Sequence, residues 1–198
     1  MALRWLKLLK DSSESTINIT YNDVNDEYYE YDISDKRKAL TTMIEQTVTI
    51  LIGPPGCGKS SYVKKHKHKF DFIMNSDNIV MKLCRENNMQ YHEFFELPTA
   101  HKLRKSHQQK FNYAIKLSKQ YNNIVWDLTN LTIKARQRIR NHYPSASFEY
   151  VEFYWQDDVD ALFEINKQRY QQIGKFIEER ALTEMIDNYQ PFNVAELS

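Results

Sequence analysis

The sequence predicts an α/β domain with a central parallel sheet of about four strands flanked by helices. Three features predict it. Short apolar runs rich in β-branched residues recur between residues 47 and 155, as strands buried on both faces require. Amphipathic stretches of helical period separate those runs. The first run ends in a glycine-rich turn, Gly53-Pro54-Pro55-Gly56-Cys57-Gly58, followed by Lys59-Ser60-Ser61, where a strand hands over to a crossover helix.

In chain order, residues 1–10 read as a short amphipathic helix with Trp5, Leu6 and Leu9 on one side. Ile17, Ile19 and Tyr21 alternate with polar neighbours, as do Tyr29, Tyr31 and Ile33. The turn-forming run 22–26 lies between, so the pair reads as a β-hairpin. Ser34 is placed to cap a helix over 35–45. No chemical motif falls in 1–46, which reads as an accessory extension to a domain over 47–198. In that domain 47–52, 70–74, 123–126 and 148–155 read as strands, and 59–69, 76–88, 98–121 and 132–142 as helices. Two further helices, 157–171 and 179–189, flank a break at Gly174-Lys175.

Composition narrows the class. With 198 residues, 41% hydrophobic and 27% charged, the chain is globular and long enough to bury about 70% of its unfolded surface. Two cysteines, Cys57 and Cys84, make no disulfide framework and fit a reducing compartment, so a cytoplasmic location is expected. No apolar stretch reaches the roughly 20 residues a bilayer span needs, so no membrane association is expected. The first ten residues are interrupted by Arg4, Lys7 and Lys10 and do not read as a signal peptide. The net charge of +1 hides a strong asymmetry: residues 61–140 hold 16 basic and 6 acidic side chains, residues 141–198 only 4 basic against 11 acidic. A block this positive points to a polyanionic partner, unless the acidic C-terminal part balances it in the fold.

Gly53 to Ser60 fits G-x-x-x-x-G-K-[ST] without departure. Its glycines let successive backbone N–H groups turn inward on phosphate oxygens. Lys59 is placed to reach the β- and γ-phosphates and the Ser60 hydroxyl to bind Mg²⁺. A guanine-specifying Asn-Lys-x-Asp is absent, Asn166-Lys-Gln-Arg169 coming closest, so ATP is the expected donor. Two aspartates follow strands at their carboxyl ends, where open parallel sheets bind ligands. Asp77 is placed either to take a proton from an acceptor hydroxyl or to cap the helix that begins beside it. Asp127 is placed to orient Mg²⁺, or to bond its own turn.

Four stretches in order resemble the bacteriophage polynucleotide 5′-kinase family of P-loop phosphotransferases, a group that includes zeta-toxin-like kinases: Gly53 to Ser61, Asn75-Ser-Asp77-Asn, Val125-Trp-Asp-Leu-Thr-Asn-Leu-Thr-Ile-Lys-Ala-Arg136, and Asn166-Lys-Gln-Arg169. The resemblance spans roughly 48–191. It implies a P-loop kinase fold with a C-terminal helical lid near 166–180, and transfer of the ATP γ-phosphate to a 5′-hydroxyl of RNA or DNA. It implies Asp77 as general base, Lys59 and Ser60 as phosphate and Mg²⁺ ligands, Asp127 as the magnesium aspartate and Arg169 as a lid arginine stabilising the transferred charge. Thr129, Asn130, Lys134 and Arg136 of the third stretch would contact substrate. Arg169 has a plainer alternative, an exposed helix arginine paired with Glu164.

The family's arginine three residues after the base is replaced by Val80, which speaks for a small acceptor such as a nucleoside, nucleotide or nucleotide sugar. A non-catalytic ATP-switched nucleic-acid-binding protein is the reading from another class. Neither the phosphatase Asp-x-Asp-Gly-Thr nor the ligase Lys-x-Asp-Gly occurs, so if the protein repairs nucleic acid, any phosphatase or ligase is expected as a separate chain. The basic run 64–69 reads as a solvated helix end. Lys102, Arg104, Lys105, His107 and Lys110, with Arg138 and Arg140, are candidates to line a backbone groove. Tyr28, Tyr29 and Tyr31 read as strand packing rather than base stacking.

Overall fold

Alternating β-branched and aromatic residues form two short antiparallel strands, β1 (Thr16–Tyr21) and β2 (Tyr28–Asp32), with a register irregularity between Asn18 and Thr20. They are the two arms of the expected hairpin. The computed structural model describes residues 16–21, 28–32 and 46–197. The helices expected over 1–10 and 35–45, the 22–26 turn and the side chains of Tyr28, Tyr29 and Tyr31 lie outside the described residues. The chain divides into two units, Met1–Ile44 and Glu45–Ser198.

The second unit is a four-stranded parallel sheet: β3 (Thr47–Ile52), β4 (Phe72–Met74), β5 (Asn123–Trp126) and β6 (Ser147–Glu152), in the order β4-β5-β3-β6. Helices α1 (Lys59–Lys65), α2 (Asp77–Glu86), α3 (Glu93–Glu96), α4 (Lys102–Ser118) and α5 (Ile133–His142) lie between strands. Helices α6 (Val159–Ile173) and α7 (Glu179–Asp187) follow the sheet. Strand side chains alternate between faces. Leu51, Val125 and Ile73 therefore pack with Val63 of α1, while Trp126 meets Phe111 of α4 and Phe72 meets Tyr121. Central β3 is buried from Val48 on: Val48, Ile50, Leu51 and Ile52 expose nothing. A second cluster joins Val80, Leu83, Cys84, Tyr91, Phe94 and Leu103.

Boundaries differ from the sequence expectation where side chains intervene. β4 starts at Phe72, because the Asp71 carboxylate accepts from Asn123 N (3.0 Å) and Nδ2 (3.2 Å) just before the ladder. Helix α4 starts at Lys102, where the His101 side chain accepts from Leu103 N. α1 stops at Lys65, and a 3-10 turn covers Lys67–Lys69. β6 stops at Glu152, and Trp155 packs instead with Leu162 and Leu182 beneath α6 and α7. Helix α3 is a four-residue turn, too short to give a periodic signal in the sequence. No helix among the described residues is long and apolar enough to cross a membrane.

Candidate active site

The loop after β3 is shaped by close contact. A Cβ at Gly53 would lie 2.5 Å from Cys57 Sγ, so a side chain there would have to displace that thiol. Gly53 N donates to Thr129 O (3.0 Å), tying the loop to the segment after β5. Pro54 and Pro55 continue the turn to Gly56, and Gly58 caps α1 at φ 101 with no side chain claiming the first-turn amides. Burial pushes the Cys57 thiol up despite Lys59 beside it, so Cys57 is a neutral loop residue at physiological pH. Ser61 is exposed on α1.

Lys59 is 8% exposed, and its Nζ donates to Gly53 O and Pro54 O, both at 2.7 Å, and to Cys57 Sγ at 3.7 Å. Burial lowers its pKa; the nearby thiol and the Asp127 and Asp77 carboxylates act the other way. This ammonium therefore touches two carbonyls and a thiol but no carboxylate, which suits it to an anion at the loop mouth.

The acidic residues converge from the ends of β4 and β5. Asp127 accepts from Ser60 Oγ (3.3 Å) and Asn75 Nδ2 (3.1 Å). Burial raises its pKa, against Lys59 and these two donors. A hydroxyl and a carboxylate oxygen side by side are the hard donors a magnesium ion takes, so Ser60 and Asp127 fit that ion. Asp77 does not cap its helix. Asn75 Oδ1 takes that role, accepting from Asp77 N (2.9 Å) and Asn78 N (3.3 Å). The freed carboxylate accepts from Tyr91 Oη on Oδ1 (3.0 Å) and from Lys175 Nζ on Oδ2, and its side chain keeps 39% exposure. Burial alone would push this carboxyl up; Lys175, Tyr91 and Arg169 together hold it below the usual carboxylate range.

The sequence marks Lys175 only as part of the break after Gly174 and gives no signal for Tyr91. Lys175 lies just past the Gly174 C-cap of α6 and also sits over the Tyr91 ring at 5.3 Å. Its placement depends on Asn166, whose side chain donates to Ile177 O (2.7 Å) and accepts from Ile177 N (3.1 Å). That two-way clamp folds the segment after α6 back on its helix. Arg169, one turn along α6, acts electrostatically on Asp77 and makes no hydrogen bond or ion pair among the described residues. Glu164 pairs instead with Lys167 (3.0 Å), so the simple helix pair for Arg169 does not form.

In the third motif stretch, two of the residues expected at substrate are held by bonds within the protein. Arg136 is wholly buried and bonds Glu196 through Nε (2.8 Å) and Nη2 (2.7 Å), with further bonds to Asn130 O and Gln190 O. It anchors the C-terminal segment and presents no donor to a substrate. Asn130, in the left-handed region at φ 47, donates to Leu51 O (2.8 Å) and Trp126 O (3.2 Å), latching β5 to β3. Thr129 lends its carbonyl to Gly53, and Lys134 is exposed on α5. Val80 is core, 1% exposed, and reaches no cleft.

A phosphate loop between strand and helix, at the carboxyl end of a parallel sheet, defines a P-loop nucleotide-binding domain with a kinase-like fold. The chain belongs to the AAA_33 family of AAA domains, whose model matches residues 48–192. Among solved structures it is similar to the RNA repair complex of Pnkp1, Rnl and Hen1, at 20% identity and TM-score 0.56 over 75% of this chain. That match spans 45% of the other chain, less than half its length. Fainter similarities are to Chaetomium thermophilum Kti12 in complex with ADP-AlF3 (12% identity, TM-score 0.48, 74% of this chain and 81% of that one) and to a gluconokinase from Sinorhizobium meliloti (12%, 0.41, 75% and 77%). No curated protein matches the chain.

Proposed function

We propose that the protein is an ATP- and Mg²⁺-dependent kinase of nucleic-acid 5′-hydroxyl groups. The observation that carries this reading is Asp77: a carboxylate freed from helix capping, held ionised by Lys175 and Tyr91, and close enough to Lys59 and Asp127 to act on both electrostatically. Asp77 accepts the proton of the acceptor hydroxyl as its oxygen bonds to the γ-phosphorus and the bond to the β-phosphate oxygen breaks, releasing ADP. Lys59 holds the donor phosphates. Ser60 and Asp127 would hold Mg²⁺, which when bound neutralises phosphate charge. Arg169, lacking a partner among the described residues, supplies positive charge to the transferred group.

Two further observations support a polynucleotide acceptor. Residues 61–140 carry the basic block, and the fold is shared with a structure of an RNA repair complex. A separate ligase or phosphatase would complete such a repair. Val80 supports a second reading, a small acceptor, because no cation stands three residues after Asp77.

The test uses γ-labelled ATP with Mg²⁺, 5′-hydroxyl RNA and DNA oligonucleotides, and a nucleoside and nucleotide panel, with Asp77→Asn as control. Label on the oligonucleotide 5′ end that vanishes with Asp77→Asn is the expected result. Label only on a small acceptor transfers the assignment to the second reading, and ATP binding with no labelled acceptor leaves a nucleotide-switched binding protein.

A further inference from the structure

Beside Asp77 lies an aromatic surface that phosphoryl transfer itself does not require. Phe95 of α3 is 52% exposed, although the neighbouring Phe94 is buried in the α2–α4 cluster. Its ring meets Tyr91 edge-on at 5.2 Å, and Tyr91 donates to Asp77. The Arg104 guanidinium lies 5.9 Å from the Phe95 ring centre and 5.3 Å from that of Phe94, with no hydrogen bond or ion pair among the described residues. The nearby acids are directed elsewhere: Glu93 accepts from Gln90 N (2.6 Å), and Glu96 groups with His92 and Glu178. A half-exposed phenyl ring, a guanidinium over it without an ion pair among the described residues, and a carboxylate one side chain away match a nucleoside's own layout, a flat base joined through a sugar to a 5′-hydroxyl.

We infer that Phe95 and Arg104 form the stacking platform for the base of the acceptor's 5′-terminal nucleotide, while Asp77 receives its hydroxyl. Stacking accepts any base, because every base has a π-face, and the guanidinium adds attraction to the adjacent phosphate. The inference rests on the kinase reading for its role and refines it, since it requires an acceptor that carries a nucleobase.

The test reads binding and catalysis separately. A single-stranded oligonucleotide with 2-aminopurine at its 5′-hydroxyl terminus is titrated into the full chain, and fluorescence quenching is followed. The same oligonucleotide and one with a 5′-terminal abasic residue are then compared as acceptors. The wild-type protein should quench the fluorophore, Phe95→Ala should abolish quenching, and Phe95→Trp should restore it. Phe95→Ala should raise the KM for the base-bearing acceptor about 10-fold and erase its advantage over the abasic one. Circular dichroism checks that the variants fold, as half-exposed Phe95 allows. Quenching by the wild type and not by Phe95→Ala, without any phosphoryl transfer, keeps the platform and overturns the kinase reading. Phosphoryl transfer with no quenching, or with equal use of abasic and base-bearing ends, overturns the platform alone. Neither signal overturns both.

Discussion

The two halves of the proposed site are built in different ways. The proposed donor half is one continuous stretch, Gly53 to Ser60, in which Lys59 bonds back to Gly53 and Pro54, while Gly53 N and Ser60 Oγ reach out to Thr129 and Asp127. The proposed acceptor half is assembled from three distant segments, Asn75 to Asp77, Tyr91 to Phe95, and Arg169 to Lys175, which meet only in the folded chain. A local loop keeps its geometry with little help from the rest of the fold. A convergent site depends on every element that carries it. Damage to the donor side should therefore stay local, whereas the acceptor side should be sensitive to residues far from the chemistry.

The largest expected effect tests the charge at the junction of the two sides. Arg169→Ala should lower kcat by about 10³-fold or more, with nucleotide affinity nearly kept, in single-turnover assays. Asp77→Asn comes next: a loss of about 10²–10⁴ in turnover, while titration calorimetry still detects ATP. Equal loss of ATP binding would show that the two sides are not separable. Arg136→Ala removes one partner of a buried pair and should cost about 3 kcal/mol in denaturant unfolding. A loss of activity without that loss of stability would return Arg136 to the substrate. Lys175→Met acts through Asp77. The carboxyl, now held below its ordinary range, must be ionised to accept a proton, so its active form persists to low pH; removing the ammonium should move the acid limb of the pH–rate profile upward. Lys134→Ala should change least, raising KM under 2-fold and only at low salt, as one exposed phosphate contact would.

This contrast also sets what the sequence could reveal. The loop, β3 and β5 were legible because their residues are neighbours in the chain. Asp77 and Asp127 were legible as acids at strand ends, a local feature. Tyr91 and Lys175 were not, since nothing near them in sequence says that an Asp77 lies within reach; Lys175 acquires its place from the Asn166 clamp on Ile177. The surroundings of Arg136 are illegible for the same reason. It sits in a motif stretch, but its environment is set by Glu196, sixty residues on. Val80 stood out as a missing arginine, yet its side chain belongs to the packing of α2 on α3 and α4.

One donor-side detail has a consequence for which anions the loop admits. The Lys59 ammonium already has two short bonds to the loop's own carbonyls, so a phosphate entering there does not fill a vacancy but competes in an exchange. A lone inorganic phosphate offers one anionic group against those bonds. A nucleotide's polyphosphate can hold the amides of the turn with one group while another draws the ammonium away. On the proposed nucleotide-binding reading, the loop is expected to favour polyphosphates over a single phosphate before any base is read. Competition against a fluorescent nucleotide should show pyrophosphate displacing it well below the concentration that inorganic phosphate needs; equal potency of the two would mean that the lysine's internal bonds impose no such toll.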